Sequence, residues 1–315
     1  MLTKAITFLL LAVATLPVTG CLLRTHEVKR TVKADLPLQA ATRDQLVEKI
    51  NAEAAKVKTY NATVDIATEV GGERKGKVTE YQEIRGYVLL RKPELLRLIG
   101  LFPVVRNRAF DMVSDGEHFK LSIPSRNKFI IGSKEVTKPS KNGLENLRPQ
   151  HILDAILVRE IDAKTEIAVL ESATETVVDT KTKKMYDEPS YTLDVLKLED
   201  GKWYLGRKIL FSRRDLLPRK QLVYDRSGNI ATIATYDNFA DFNGVMLPNV
   251  TRVERPQEEY SISLGVVKLK LNEPLTDQQF QLAQPAGAQV IYLDNTQPAQ
   301  PAAANTEPKG RGHQR

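Results

Sequence analysis

Tyr60-Asn61-Ala62-Thr63-Val64-Asp65-Ile66-Ala67-Thr68-Glu69-Val70 decides the fold class. Tyr60, Ala62, Val64, Ile66, Thr68 and Val70 alternate with Asn61, Thr63, Asp65 and Glu69. Successive side chains of a strand point to opposite faces, so a period of two describes a strand with one buried face. The pattern returns at Tyr191, Leu193 and Val195, at Trp203 and Leu205, at Leu222 and Tyr224, and at Ile230, Thr232, Ala234 and Tyr236. Leu196 and Leu198 change the phase of the first of these runs, as a bulge does. Further strands are read from about Val78 to Leu90, and from Glu94 to Ile99, Arg108 to Val113, His118 to Ile123, Phe129 to Ile131, Asn249 to Arg255 and Tyr260 to Leu271. Gly71-Gly72, Asp115-Gly116, Ser125-Arg126-Asn127, Glu199-Asp200-Gly201 and Asp225-Arg226-Ser227-Gly228-Asn229 supply the turns between them.

Two helices interrupt the strands. Thr42-Arg43-Asp44-Gln45 has the form of a capping box, and Leu46, Val47, Ile50, Ala54 and Val57 follow on one helical face, about four turns in all. Pro149 suits the first turn of a second helix, whose apolar side is Ile152, Leu153, Ile156 and Leu157. The expected fold class is α+β, mainly antiparallel β: a long meander with helical cover, in the order of an open or half-closed barrel.

The ends of the chain differ from this body. Lys4, the apolar run from Ile6 to Leu16 and the small pair Thr19-Gly20 follow the order of a secretory signal over residues 1–20, and the apolar run is short for a membrane span. Cys21 is the only cysteine of 315 residues, so it has no disulfide partner within the chain. Val18-Thr19-Gly20-Cys21 resembles the bacterial lipobox, which implies a lipidated Cys21. A free buried thiol behind an ordinary signal is the other reading. Residues 21–40 read as the lipidated N-terminus and a tether. From Asn295 to Arg315 the chain is rich in Pro, Ala and Gln without a large apolar residue, and is expected to be a disordered basic tail. Residues 41–294 form the expected single domain.

A hydrophobic content of 42% supports a substantial core. The formal charge of +7 and pI near 9.3 would suit nucleic acid in a cytosolic chain, but export removes that partner; an anionic lipid or an acidic protein face fits better. Arg24, Lys29, Arg30 and Lys33 lie beside the anchor, within reach of headgroups. Arg207, Lys208, Arg213, Arg214, Arg219 and Lys220 form a second basic cluster, read as a solvated sheet face. Catalysis finds little support. His26, His118, His151 and His313 fall in tether, hairpin, helix start and tail, which gives neither a metal spacing nor a Ser-His-Asp arrangement, so no catalytic or metal residue is assigned. Gly71 to Lys77 mimics a phosphate loop, but Val78 replaces the required hydroxyl and a strand follows.

The order helix, long strands, helix, long strands resembles the bacterial lipoprotein-carrier superfamily, the LolA/LolB-like periplasmic carrier and outer-membrane acceptor. Three stretches carry the likeness over roughly residues 42–292. MVSDGEHFKLSIPSRNKFIIG is similar to the family's strand, Asp-Gly turn and strand; LKLNEPLTDQQFQLAQPAGAQV is similar to its ending, through Asn272, Pro274, Leu275, Asp277 and Phe280; RLIGLFPVV lies where the acceptor carries a protruding apolar loop. The chain departs from the acceptor in its length, its basic strands near Arg213 and its tail. The resemblance implies an incomplete barrel with a helical lid around an apolar cavity, with Val64, Ile66, Leu95, Ile99 and Phe110 on strands and Ile152, Ile156 and Leu157 on the helical cover as lining. Each of these also fits ordinary core. Leu101, Phe102, Val104 and Val105 form an apolar tip where turns favour polar residues. This tip either enters a bilayer and passes on an acyl chain or folds back as a plug.

The implied function is non-catalytic: acyl chains bound without a cofactor, in lipoprotein or lipid sorting or insertion at the outer membrane, by a lipid-anchored monomer facing the periplasm. Leu22 after the cysteine, rather than aspartate, agrees with the outer-membrane sorting that the resemblance implies. Its partners would be membrane lipid and a lipoprotein cargo or periplasmic carrier. The alternative is a structural or sensing lipoprotein of the same fold that binds a protein partner at the envelope.

Overall fold

Thr42 begins the ordered body as the sequence requires. In the computed structural model, which describes residues 37–133, 149–178 and 185–293, the Thr42 hydroxyl accepts from Gln45 N at 3.3 Å, and the Gln45 side chain accepts from Thr42 N at 2.8 Å. These bonds satisfy two end groups that helix α1, Arg43–Lys56, leaves unpaired. Helix α2 spans Pro149–Ile156. Cys21, its neighbours to residue 36 and the tail from Asn295 lie outside the described residues.

The strands run in chain order as β1 Thr59–Gly72, β2 Lys77–Glu80, β3 Ile84–Arg91, β4 Leu95–Leu101, β5 Arg108–Ser114, β6 His118–Ile123 and β7 Lys128–Ser133. After α2 come β8 Glu166–Val178, β9 Met185–Glu199, β10 Lys202–Ser212, β11 Pro218–Tyr224, β12 Ile230–Asp241, β13 Met246–Arg255, β14 Tyr260–Leu271 and β15 Gln289–Tyr292. They form one open sheet in the order β15-β7-β6-β5-β4-β3-β1-β14-β13-β12-β11-β10-β9-β8, with β2 beside β1. The mainly antiparallel sheet with two helices is as expected. One strand was not: β15 pairs in parallel with β7, Val290 against Phe129. Among the described residues, 176–178 and 185–187 belong to a small unit, and the rest form a large one that holds both helices and the core. In the small unit Thr176 Oγ1 donates to Asp187 Oδ1 at 3.2 Å.

Turn chemistry fixes the registers. Asp200 and Gly201, at φ 51° and 71°, make the two-residue turn between β9 and β10, whose twist matches the strands it joins. The bulge lies on the facing strand instead: the register shifts between Leu205 and Arg207, leaving Gly206 as the extra residue of β10, while β9 keeps its alternation and Leu196 and Leu198 fall on the face opposite Leu193 and Val195. Asp225 accepts from Ser227 N and Asn229 N, both at 2.9 Å, closing the β11–β12 turn; these backbone bonds hold its carboxyl below the usual range.

β1 and β14 join the two halves of the sheet, with Val64 opposite Val266 and Ile66 opposite Leu264. One face of the sheet carries the core. Helix α2 places Ile152, Leu153 and Ile156 in the same cluster as Val64, Leu98 and Leu264, while Leu46 and Ile50 of α1 pack with Leu193, Ile209 and Phe211. On the opposite face the closing segment acts as a strap. Asn272, at φ 60°, accepts from Lys58 N at 2.7 Å and donates to Lys56 O at 2.8 Å, tying the end of α1 to the start of β1. Arg91 donates to Leu275 O at 2.8 Å, pairs with Asp277 and lies over the Phe280 ring.

In β4 the buried alternation is Leu96 and Leu98, whereas Leu95 and Ile99 fall on the strap-covered face and are half-buried. The two faces therefore predict different costs on truncation. Leu98→Ala is expected to lower stability by about 2–5 kcal/mol, as large-to-small core changes do, and Ile99→Ala by less than half of that. Urea unfolding of both variants checks the phase; equal losses would refute it.

Candidate functional site

Gly86 and Gly100 stand opposite one another on β3 and β4, on the core face. Their neighbours occupy the room that a side chain would take. A Cβ at Gly100 would lie 2.4 Å from Phe110 Cε1 and 2.7 Å from Ile84 Cδ1, and one at Gly86 would lie 2.4 Å from Ile66 Cδ1. Glycine in a strand interior marks such a close approach. Ile66, Ile84 and Phe110 thus lean over the backbone, and above them opens a pocket of about 270 Å³. Leu121, Ile123 and Ile262 continue its apolar wall; Thr68, Tyr81, Gln82, Ser125 and Arg126 give polar groups, and Phe102 and Pro103 lie at its edge. Neither α1 nor α2 contributes to this lining.

The loop that supplies Phe102 and Pro103 has an unusual backbone. Val105 N donates to Pro103 O at 2.8 Å across Val104, whose φ is 67°. That is a three-residue turn in its rarer, strained form, and a β-branched residue is a poor occupant of positive φ. Phe102 N donating to Asn107 O at 2.8 Å and Arg106 N donating to Phe102 O at 3.1 Å close the loop below it. The consequence is display: Val104 is 97% exposed, Val105 65% and Phe102 38%. Leu101 ends β4 and is half-buried. The four apolar loop residues consequently divide, Phe102 toward the pocket and Val104 and Val105 toward solvent.

The residues expected to line one cavity are dispersed. Ile66 and Phe110 reach the pocket just described. Ile156 and Leu157 border a separate, smaller cavity of about 70 Å³, where α1 and α2 meet β12 and β13 beside Tyr236 and Leu247. Val64 and Ile152 are buried in the packed core between the two, and Leu95 and Ile99 are on the other face. Sequence reading missed Ile84, Ile123 and Ile262. Each continues a period-two run, so the signal was present; what it lacked was the register that brings the runs together.

Charge is arranged mostly in pairs. Asp111 is buried on the strap-covered face, where Arg97 Nε and Nη2 donate to its two oxygens at 2.9 and 2.7 Å and Arg108 approaches at 2.9 Å. Arg207 is buried with Glu166, 3.3 Å away, which also binds Arg159 at 2.6 Å. Burial lowers the Arg207 guanidinium to about 10, still well above neutral pH, so Glu166 is a counter-charge it needs. The basic cluster read as a solvated face is otherwise: besides Arg207, Lys208 pairs with Asp194, Arg214 with Glu188 and Arg219 with Asp215, and Arg213 stacks on Tyr191. Among the described residues no group of three or more His, Cys, Asp or Glu side chains is placed to hold a metal ion. Among them, too, no helix is long and apolar enough to cross a membrane.

No protein-family model matches the chain, and no curated protein sequence matches it. Solved structures do. A LolA superfamily protein from Nitrosomonas europaea is 19% identical with a TM-score of 0.46, covering 77% of this chain and 99% of its own. A putative outer membrane lipoprotein-sorting protein domain from Vibrio parahaemolyticus is 11% identical with a TM-score of 0.46, covering 75% of this chain and 94% of its own. A DUF1329 family protein from Desulfovibrio piger is 16% identical with a TM-score of 0.49, over the same shares. The superfamily that the sequence resembles is therefore represented among the structures similar to this chain. Each score is below 0.5, and the chemistry of the site rests on the chain's own residues.

The glycine pair gives the pocket a test. Gly100→Val would displace Phe110 and fill the floor, and is expected to weaken binding of an apolar fluorescent probe about tenfold or more while costing about 1–3 kcal/mol of stability, as overpacking does. Probe titration and thermal melting measure the two effects; full-strength probe binding in a folded variant would place the apolar site elsewhere.

Proposed function

We propose that the protein is a lipid-anchored envelope protein, facing the periplasm at the outer membrane, that holds acyl chains and takes part in lipoprotein or lipid sorting or insertion. The observation that carries this reading is an apolar pocket opening beside a loop that shows Val104 and Val105 to solvent. Burying an acyl chain gains about 0.8 kcal/mol per methylene, so a short enclosed stretch supplies several kcal/mol without a polar contact. Phe102, shared by pocket and loop, is the residue a chain would pass on leaving. Binding of this kind asks for no catalytic group and no cofactor beyond the chain itself.

A lipidated Cys21 would hold the pocket near the bilayer, with the protein working as a monomer. The tether then ends at a fixed point of the body: Gln39 N donates to Arg213 O at 2.6 Å, and Gln39 Nε2 donates to Arg214 O at 3.0 Å. Cargo and carrier would meet the pocket from the loop side, because that is the side on which it opens.

Two experiments test the reading. Mass spectrometry of organic extracts from the body lacking residues 1–34 should find co-purified acyl lipid; a body that carries none and excludes an apolar probe overturns the proposal. Val104→Glu should weaken association with vesicles of phosphatidylethanolamine and phosphatidylglycerol at least several-fold with unchanged melting, because the side chain is exposed. Undiminished vesicle association would remove the loop from the function.

A further inference from the structure

Among the described residues, Arg126 is the single charged one in the lining of the 270 Å³ pocket. It closes the short 3-10 turn Pro124–Arg126, next to Asn127 at φ 50°, and sits at the rim beside Ser125. Among the described residues no ion pair is made by Arg126, in contrast to the paired Arg97, Arg207, Arg214, Arg219 and Arg252 elsewhere on the sheet. The pocket thus has an apolar floor, an edge of neutral hydrogen-bonding groups and one uncompensated positive charge.

We infer that the pocket selects amphiphiles with one acyl chain and an anionic head, the chain lying against Ile66, Ile84 and Phe110 and the head against Arg126. This rests on the reading of the pocket as an acyl-chain site and narrows it. The chain number follows from size: about 270 Å³ is slightly below the roughly 300–1,000 Å³ typical of small-molecule pockets. One chain segment occupies that space; a two- or three-chain lipid does not fit within it. The head follows from charge. A guanidinium offers planar, paired donors to a carboxylate or phosphate, and among the described lining residues there is no acid to compete for them. Gln82 and Ser125 add neutral groups at the same rim. A fatty-acid carboxylate and a lysophospholipid phosphate share this chemistry.

Competition against an apolar fluorescent probe tests the inference, with laurate, lauroyl lysophosphatidylglycerol, lauroyl lysophosphatidylcholine, dodecanol and dilauroyl phosphatidylglycerol as competitors for the protein and its Arg126→Gln variant. The two single-chain anions should displace the probe about fivefold better than lysophosphatidylcholine and dodecanol, the scale of an exposed ion pair. Arg126→Gln should erase that preference and leave dodecanol unchanged, since the substitution touches only the rim. An advantage for laurate alone assigns the head to a carboxylate; an equal advantage for both anions assigns it to either. Equal displacement by charged and neutral single-chain competitors, or a preference that survives Arg126→Gln, overturns the anionic head while leaving the acyl-chain pocket intact. Dilauroyl phosphatidylglycerol competing as well as its one-chain form overturns the one-chain limit. Failure of every competitor overturns the acyl-chain reading itself.

Discussion

A sheet of fifteen strands carries its core on one face, which has to be kept from water, and the described residues offer two helices, of fourteen and eight residues, to cover it. A helix rises about 1.5 Å per residue, so these two shield a limited part of so wide a surface. They are spent where α1 meets β9 and β10 and where α2 meets β4, β5 and β13. The rest of the face must be closed by its own side chains, by loops or by a ligand. Tyr81, Phe102 and Arg126 all come from connections or their ends, and they form the edge of the part that no helix reaches. The site is thus a consequence of incomplete cover, and its apolar character comes from the same alternation that builds the core.

The glycines decide how that uncovered part is shaped. Had Gly86 and Gly100 been valines, the strand interior would carry two more branched side chains, and Ile66, Ile84 and Phe110 would stand up from the sheet to fill the mouth. With no Cβ at either position the three side chains lie down, and packing near the backbone leaves space above it. Glycine in a strand costs stability through backbone entropy and lost packing. Two of them paired across neighbouring strands let Ile66, Ile84 and Phe110 pack down at one spot, and those three side chains line the pocket.

Period-two alternation made the fold class legible, and the capping box at Thr42 and the turn at Asp200-Gly201 fixed ends that the structure reproduces. The phase of β4 was less readable, for a physical reason. Leu95, Leu96, Leu98, Ile99 and Leu101 are apolar on both sides of the strand, because the strap from Asn272 to Phe280 covers the face opposite the core. A strand buried twice loses its alternation. The same strap explains Asp111, whose bidentate bonds from Arg97 hold the face together while Arg97 also donates to Gln279 O at 2.8 Å. The pocket was legible as a set of residue types but not as a place. Ile66, Ile84, Phe110 and Ile262 come from four strands, and only the registers of β1 with β3 and β14 and of β4 with β3 and β5 make them neighbours. Likewise the basic run from Arg207 to Lys220 reads as a patch in sequence, and cross-strand carboxylates neutralise much of it in space.

Backbone strain at Val104 bears on why the loop is apolar at all. A non-glycine residue in sparsely populated φ/ψ space costs on the order of 1–3 kcal/mol and persists when the surroundings hold it there. Asparagine or glycine would relieve the cost at φ 67°, as glycine does at seven other positive-φ positions among the described residues. Valine does the reverse and adds an exposed branched side chain at the point farthest from cover. Stability explains neither choice, since Val104 is 97% exposed and packs little. A surface that water does not occupy would explain both. In a membrane headgroup region or against an apolar cargo the side chain gains burial that offsets the strain, and the turn that creates the strain is also what aims the side chain away from Phe102 and the pocket. Strain and exposure at one residue, beside an apolar opening, are the features expected of a contact point, while Phe102 and Pro103 of the same loop turn to the pocket.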